Sequence, residues 1–169
     1  MRRSRVAALA VPLAVALLAP PASAAEENLI KEAGDHPEYR FEAEPHGLLG
    51  YGPAFDRGSG VGAGFRGTFV IVQNGFIKSI NNSVGIGVGG DLLFNNKSYV
   101  FVPVVMQWNF WLSTHWSVFG EPGLGFSFGA RDVFGPVFYA GGRYNFNEHI
   151  ALTIRLGYPM VSVGASFML

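Results

Sequence analysis

The last twenty residues, Ile150 to Leu169, carry two runs of alternation that leave little choice of structure. Ile150, Leu152, Ile154, Leu156 and Tyr158 are apolar, with Ala151, Thr153, Arg155 and Gly157 between them. The second run has the other parity: Val161, Val163, Ala165, Phe167 and Leu169 against Ser162, Gly164 and Ser166. Side chains on a strand alternate faces, so each run puts its large apolar groups on one side. A two-residue connection at Tyr158-Pro159 pairs Leu156 with Val161 and keeps both apolar sets together, which is why the parity must change.

The same period recurs upstream. A first strand is expected near Gly47–Phe55 and a turn at Asp56–Gly60. Val61–Val72, Ser83–Phe94, Tyr99–Leu112, Trp116–Phe128 and Pro136–Phe146 follow, and the closing hairpin makes eight. The segments are separated by Asn-, Ser- and Gly-rich turns, at Asn74–Asn82, Asn95–Ser98, Ser113–His115, Ala130–Gly135 and Asn147–His149. Many short alternating strands of this kind indicate a sandwich or a barrel.

Volume decides which side faces what. On strands two to eight one set is rich in Phe, Trp, Leu and Ile, while the other is mostly Gly and Ser with a few charges. Eight strands enclose a space only just wide enough to be filled by side chains, so the small set fits inside. As a water-facing surface that set carries too little charge. The apolar set has no charged residue on these strands, as a lipid-facing band demands. In hydrocarbon only a helix or a closed sheet satisfies every backbone N–H and C=O. The expected fold is therefore all-β, an eight-stranded antiparallel up-and-down transmembrane β-barrel. On this facing, Leu152→Arg costs about 2–4 kcal/mol if that position lies near the midplane.

The beginning of the chain reads differently. Met1-Arg2-Arg3-Ser4-Arg5, the apolar run Val6 to Ala19 and an Ala22-Ser23-Ala24 site make residues 1–24 a secretory signal peptide. Cleavage leaves a chain of about 145 residues, suited to one domain. Residues 25–45 carry seven acidic and two basic groups and read as a largely flexible acidic leader, with the barrel over 46–169. One stretch of that leader, Glu38 to Glu44, itself alternates, which leaves an extra strand or edge segment open. The sequence holds no cysteine, which excludes a disulfide framework. No long basic run points to nucleic acid.

Aromatics collect at strand ends. Trp108, Phe110, Trp111 and Trp116 surround one turn and Tyr144 and Phe146 lie near another, giving an interfacial girdle; Phe94, Phe126, Phe128 and Phe138 form the opposite one. With these features the chain resembles the small eight-stranded outer-membrane barrels of the OmpA/OmpX type. The most specific part is Ser162 to Leu169, which is similar to the family's C-terminal assembly signal through Gly164, Phe167 and Leu169. Leu169 departs from the terminal Phe usual in that family. The resemblance implies insertion by the outer-membrane assembly machinery, contact with outer-membrane lipid, and both termini on the periplasmic side in a Gram-negative bacterium. Its outward loops are short, which weakens any carry-over of adhesion or receptor roles.

The expected role is structural or interactive within the cell envelope, with an envelope protein as an unidentified partner. The inward charged and polar groups are Arg66, Asp91, Gln107, Glu121, Arg143 and Arg155. Turn lengths place Arg66 opposite Asp91 and Gln107 opposite Glu121, and the loop around Ala130–Gly135 can put Arg143 opposite Glu121. Buried charges must be paired, so a hydrogen-bonded core that plugs the lumen is expected. The alternative is a narrow porin-like channel for ions or small solutes. Two Gly-x-Gly-x-x-Gly spellings, at Gly62–Gly67 and Gly85–Gly90, lack the strand-to-helix turn that a dinucleotide site needs. His115, Ser117 and Glu121 invite comparison with outer-membrane lipid A deacylases, but Ser117 and Glu121 face inward and His115 lies in a turn. His36, His46 and His149 show no metal-ligand spacing. No enzyme activity, cofactor or metal is expected.

Overall fold

A computed structural model describes residues 27–51, 59–94, 98–129 and 133–169. The signal peptide at 1–24 lies outside these residues, as do most of three loop assignments: Asp56–Gly58, Asn95–Lys97 and Ala130–Asp132. The strands are β1 (Phe41–Tyr51), β2 (Ser59–Val72), β3 (Asn82–Phe94), β4 (Ser98–Trp111), β5 (Trp116–Gly129), β6 (Val133–Asn145), β7 (Ile150–Tyr158) and β8 (Met160–Met168). Each pairs antiparallel with the next, and β8 closes on β1. The closing hairpin keeps the register its pattern requires. Ile154 faces Val163 and Arg155 faces Ser162, the register that a Leu156–Val161 pairing requires.

The first strand begins at Phe41, six residues before the expected Gly47. Two features hide it in the sequence. Glu42 and Glu44 read as leader charges, and Pro45 reads as a break. Within the barrel Glu42 and Glu44 point inward and are buried. Pro45, which lacks an N–H, sits where the recorded pairing of β1 with β8 lapses between Ala43↔Phe167 and His46↔Gly164. The leader is not free of the barrel either. A 3-10 turn at Leu29–Lys31 binds Leu112, the Asn81 N–H donates to Ile30, and His36 stacks on Trp111.

Facing follows volume. Phe65, Phe69, Leu92, Phe138 and Leu156 are about half exposed on the outer surface, whereas Arg66, Glu121, Arg143 and Arg155 are at most 1% exposed. A surface this apolar suits acyl chains. Trp108, Phe110, Trp116, Tyr144 and Phe146 form contacting rings along one end of that surface. Trp111 is a correction: it has the parity opposite to Trp108 and Phe110, and it is buried inside.

The interior is layered. Toward the β7–β8 turn lies an apolar cluster of Leu48, Leu93, Tyr99, Phe101, Val105, Val137, Tyr139 and Met160. At the other end Tyr39, Trp111, Ala151 and Met168 form a second. Inward glycines make room for the large side chains between. A Cβ on Gly141 would collide with the Phe119 ring and the Ile154 carbonyl, while one on outward Gly90 meets nothing within 4 Å. Gly141→Ala is expected to cost about 1–3 kcal/mol, the range for overpacking. Gly90→Ala should be close to neutral. Urea unfolding of both variants in lipid vesicles checks the pair; equal midpoints would contradict the packing described.

Candidate functional site: the ionic core of the lumen

Between the two apolar layers the inward residues bring charge together. Arg155 on β7 is the hub. Its Nη1 and Nη2 donate to Glu44 Oε1 and Oε2 at 2.6 and 2.9 Å, and its Nε donates to Glu121 Oε2 at 2.8 Å. Glu121 also accepts from Arg66 Nη1 at 2.7 Å and Gln107 Nε2 at 2.9 Å. A second group forms around Arg143. Its Nη2 donates to both oxygens of Glu42 at 2.7 and 2.8 Å, and its Nη1 donates to Asn109 at 3.1 Å. Ser166 donates to Glu42 as well. A third group joins His46 to Asp91 at 2.9 Å, with Glu44 3.5 Å from the other ring nitrogen.

These pairs satisfy the rule that a buried charge needs a partner, and the charge-assisted contacts, above all the forked one of Arg155 on Glu44, are the strong kind. Phe119 lies between two of the cations, 4.6 Å from Arg143 and 5.2 Å from Arg155 at its ring centre. The ring face attracts both guanidinium groups. Outside the spanning strands, burial pushes the Tyr39 phenol above its ordinary range, and the Glu42 carboxylate adds to the shift.

The structure separates some expected partners. Gln107 does meet Glu121. Arg66 does not face Asp91: the β2–β3 register sets Gly64 against Asp91 and Arg66 against Gly89. The pairing lies two residues from that expected, and the register shift between Val70 and Val72 accounts for one of them. Arg143 lies opposite Ser117 rather than opposite Glu121, which faces Tyr139. Glu42 and Glu44 were missed because they fell in the presumed leader, and His46 because it lies just before the expected start of the first strand at Gly47. The alternation of Glu38 to Glu44 is the signal that could have found them.

Other candidates resolve by geometry. Ser117 is fully buried and its Oγ has no hydrogen-bond partner, so no base reaches it. Glu121 is occupied by Arg155, Arg66 and Gln107, and His115 stacks on Tyr144 at the barrel end. Gly164 packs against the Pro45 carbonyl and the His46 side chain, where β8 meets β1. Phe167 and Leu169 are exposed on the outer surface, and Leu169 exchanges backbone hydrogen bonds with Arg40 and Phe41. Among the described residues no group of three His, Asp or Glu is arranged to hold a metal ion.

Neither a protein-family model nor a curated protein matches the sequence. Solved structures do match in shape. A de novo designed transmembrane β-barrel has TM-score 0.51 at 16% identity, over 76% of this chain and 95% of that one. Ail, the attachment invasion locus protein of Yersinia pestis, has TM-score 0.51 at 13% identity, over 79% of this chain and 99% of that one. Ail in a phospholipid bilayer nanodisc has TM-score 0.50 at 11% identity, over 78% and 100%. At these identities the likeness is one of fold, that of the small transmembrane β-barrels.

Proposed function

We propose that this chain, having the fold of the small outer-membrane barrels, is a closed envelope barrel with a structural or interaction role and a plugged lumen. One observation carries the reading: an apolar layer and an ionic layer lie in series along the lumen. The apolar cluster offers a crossing ion no charged ligand, and the ionic layer is held by paired groups whose opening would strand buried charge. In this reading the barrel lies in a Gram-negative outer membrane, in contact with its lipid, with both termini periplasmic. The Trp-rich girdle then lies on the inner side. Gly164, Phe167 and Leu169 serve the assembly machinery during insertion, and an envelope protein partner acts at the barrel's ends.

Planar-bilayer recording of the purified full chain is expected to give no steady open level. A reproducible ohmic conductance would replace the plug with a narrow ion channel. Cell fractionation with heat-modifiable gel mobility tests the location: the folded chain should sediment with outer membranes and migrate faster before boiling.

A further inference from the structure

Ile86 and Val88 of β3 point outward and are 37% and 47% exposed, as lipid-facing residues should be. Asn82 and Val84 have the same parity, yet both are buried. The β2–β3 turn, residues 73–81, folds back over this end of the strand. Asn82 Nδ2 donates to the carbonyls of Ile77 and Ile80 at 2.7 Å each, and Asn82 Oδ1 accepts from the Trp108 indole N–H at 2.9 Å. Phe76 meets the Trp108 ring edge-on, 5.8 Å between centres. Gly75, at φ +47°, lets the chain double back, and a Cβ there would run into the Asn82 amide. The leading segment holds the turn in place: the Asn81 N–H donates to Ile30 and its side-chain amide to Asp35.

Pinned in this way, the turn leaves two large apolar side chains in the open, Phe76 at 58% and Ile77 at 40% exposed, followed by the exposed Lys78. The other two turns at this end, Ser113–His115 and Asn147–His149, are wholly polar. Burying the apolar pair is favourable and leaving it in water is not. Its surroundings say what covers it, because the Phe76–Trp108 contact makes it continuous with the aromatic girdle of the lipid-facing wall. Aromatic and aliphatic side chains next to a lysine, at girdle level, are the composition of a segment lying in a membrane interface.

We propose that the β2–β3 turn is a membrane foot, with Phe76 and Ile77 entering the boundary between phospholipid headgroups and acyl chains beside Trp108. Lys78 then sits at the level of the phosphates, where a long cationic side chain is at ease. The proposal rests on the reading of the outer wall as lipid-facing, and extends lipid contact from the strands to one connection at the barrel end.

The sequence holds no cysteine, so one introduced thiol can be labelled alone. The full chain is folded in phosphatidylcholine nanodiscs, which leave both faces open to solvent. A nitrobenzoxadiazole label is placed singly through Ile77→Cys, Glu148→Cys or Ile154→Cys. The label at Ile77 is expected to emit to the blue, to be quenched by lipid with a nitroxide near its headgroup, and to escape quenching by iodide. At Glu148, on a polar turn of the same end, iodide alone should quench. At Ile154 only lipid with a nitroxide deep in its acyl chains should do so. Adding Phe76→Asp to Ile77→Cys should shift the emission to the red and restore iodide quenching, while the chain keeps its heat-modifiable mobility. The proposal is overturned if the labels at Ile77 and Glu148 are equally open to iodide while Ile154 reports acyl chains, which leaves the apolar pair to a protein partner. If the label at Ile154 is open to iodide as well, the reading of the outer wall fails and the foot with it.

Discussion

Arg155→Met is expected to lower the stability of the folded barrel by about 3–5 kcal/mol, the cost of breaking a buried pair from one side. Among the described residues the guanidinium makes the two shortest contacts to the Glu44 carboxylate, and it makes two contacts to Glu121. Without it Glu44 remains buried as a charge with only the more distant His46 beside it. Glu121 fares better, because Arg66 and Gln107 still reach it. The double variant Arg155→Met/Glu44→Gln should therefore recover a substantial part of the loss, since a neutral amide is far cheaper to bury. Reversible urea unfolding in phospholipid vesicles reads both. A loss under about 1 kcal/mol for the single variant, the size of an exposed ion pair, would mean that this core is wet.

The second large effect lies on the other face. Ile154 is the middle residue of β7, points outward and is 44% exposed. Ile154→Arg should cost about 2–4 kcal/mol, as expected for a cation at the midplane of the lipid face. Leu152 is the weaker position for this test, because it pairs with Tyr144 of the aromatic girdle and so lies toward the interface, where the penalty falls. The expected order is Ile154→Arg worse than Leu152→Arg, both with normal insertion at high lipid excess. Should Ile154→Arg leave the unfolding midpoint in vesicles unchanged, the outer surface is not in hydrocarbon.

How much of this was legible in the sequence follows from what each residue's neighbours are. The strands from Val61 onward could be read because their alternation is local: Val100 to Phe110 and Ile150 to Tyr158 state their facing within a few residues. The closing hairpin could be read to the residue, since one short connection fixes its register. Ion pairing could not. Arg66 meets Glu121 across 55 positions of chain and Arg155 meets Glu44 across 111, and such partners are set by the shear of the closed sheet rather than by any turn. The Arg66–Asp91 expectation failed for a related reason: Asp91 faces Gly64, two residues from Arg66, and the register shift after Val70 supplies one of the two. β1 was obscured by its own function. Its charges look like a solvated leader until the cations that receive them are known.

That arrangement has a consequence for how the molecule is made. The acids of β1 emerge first and their cations, on β6 and β7, emerge last, so every intermediate short of completion carries naked carboxylates on a growing sheet. Water tolerates them and oil does not. The barrel can therefore enter the bilayer cheaply only after its two ends have found each other, and the slowest contacts of the search are also those that certify it is finished.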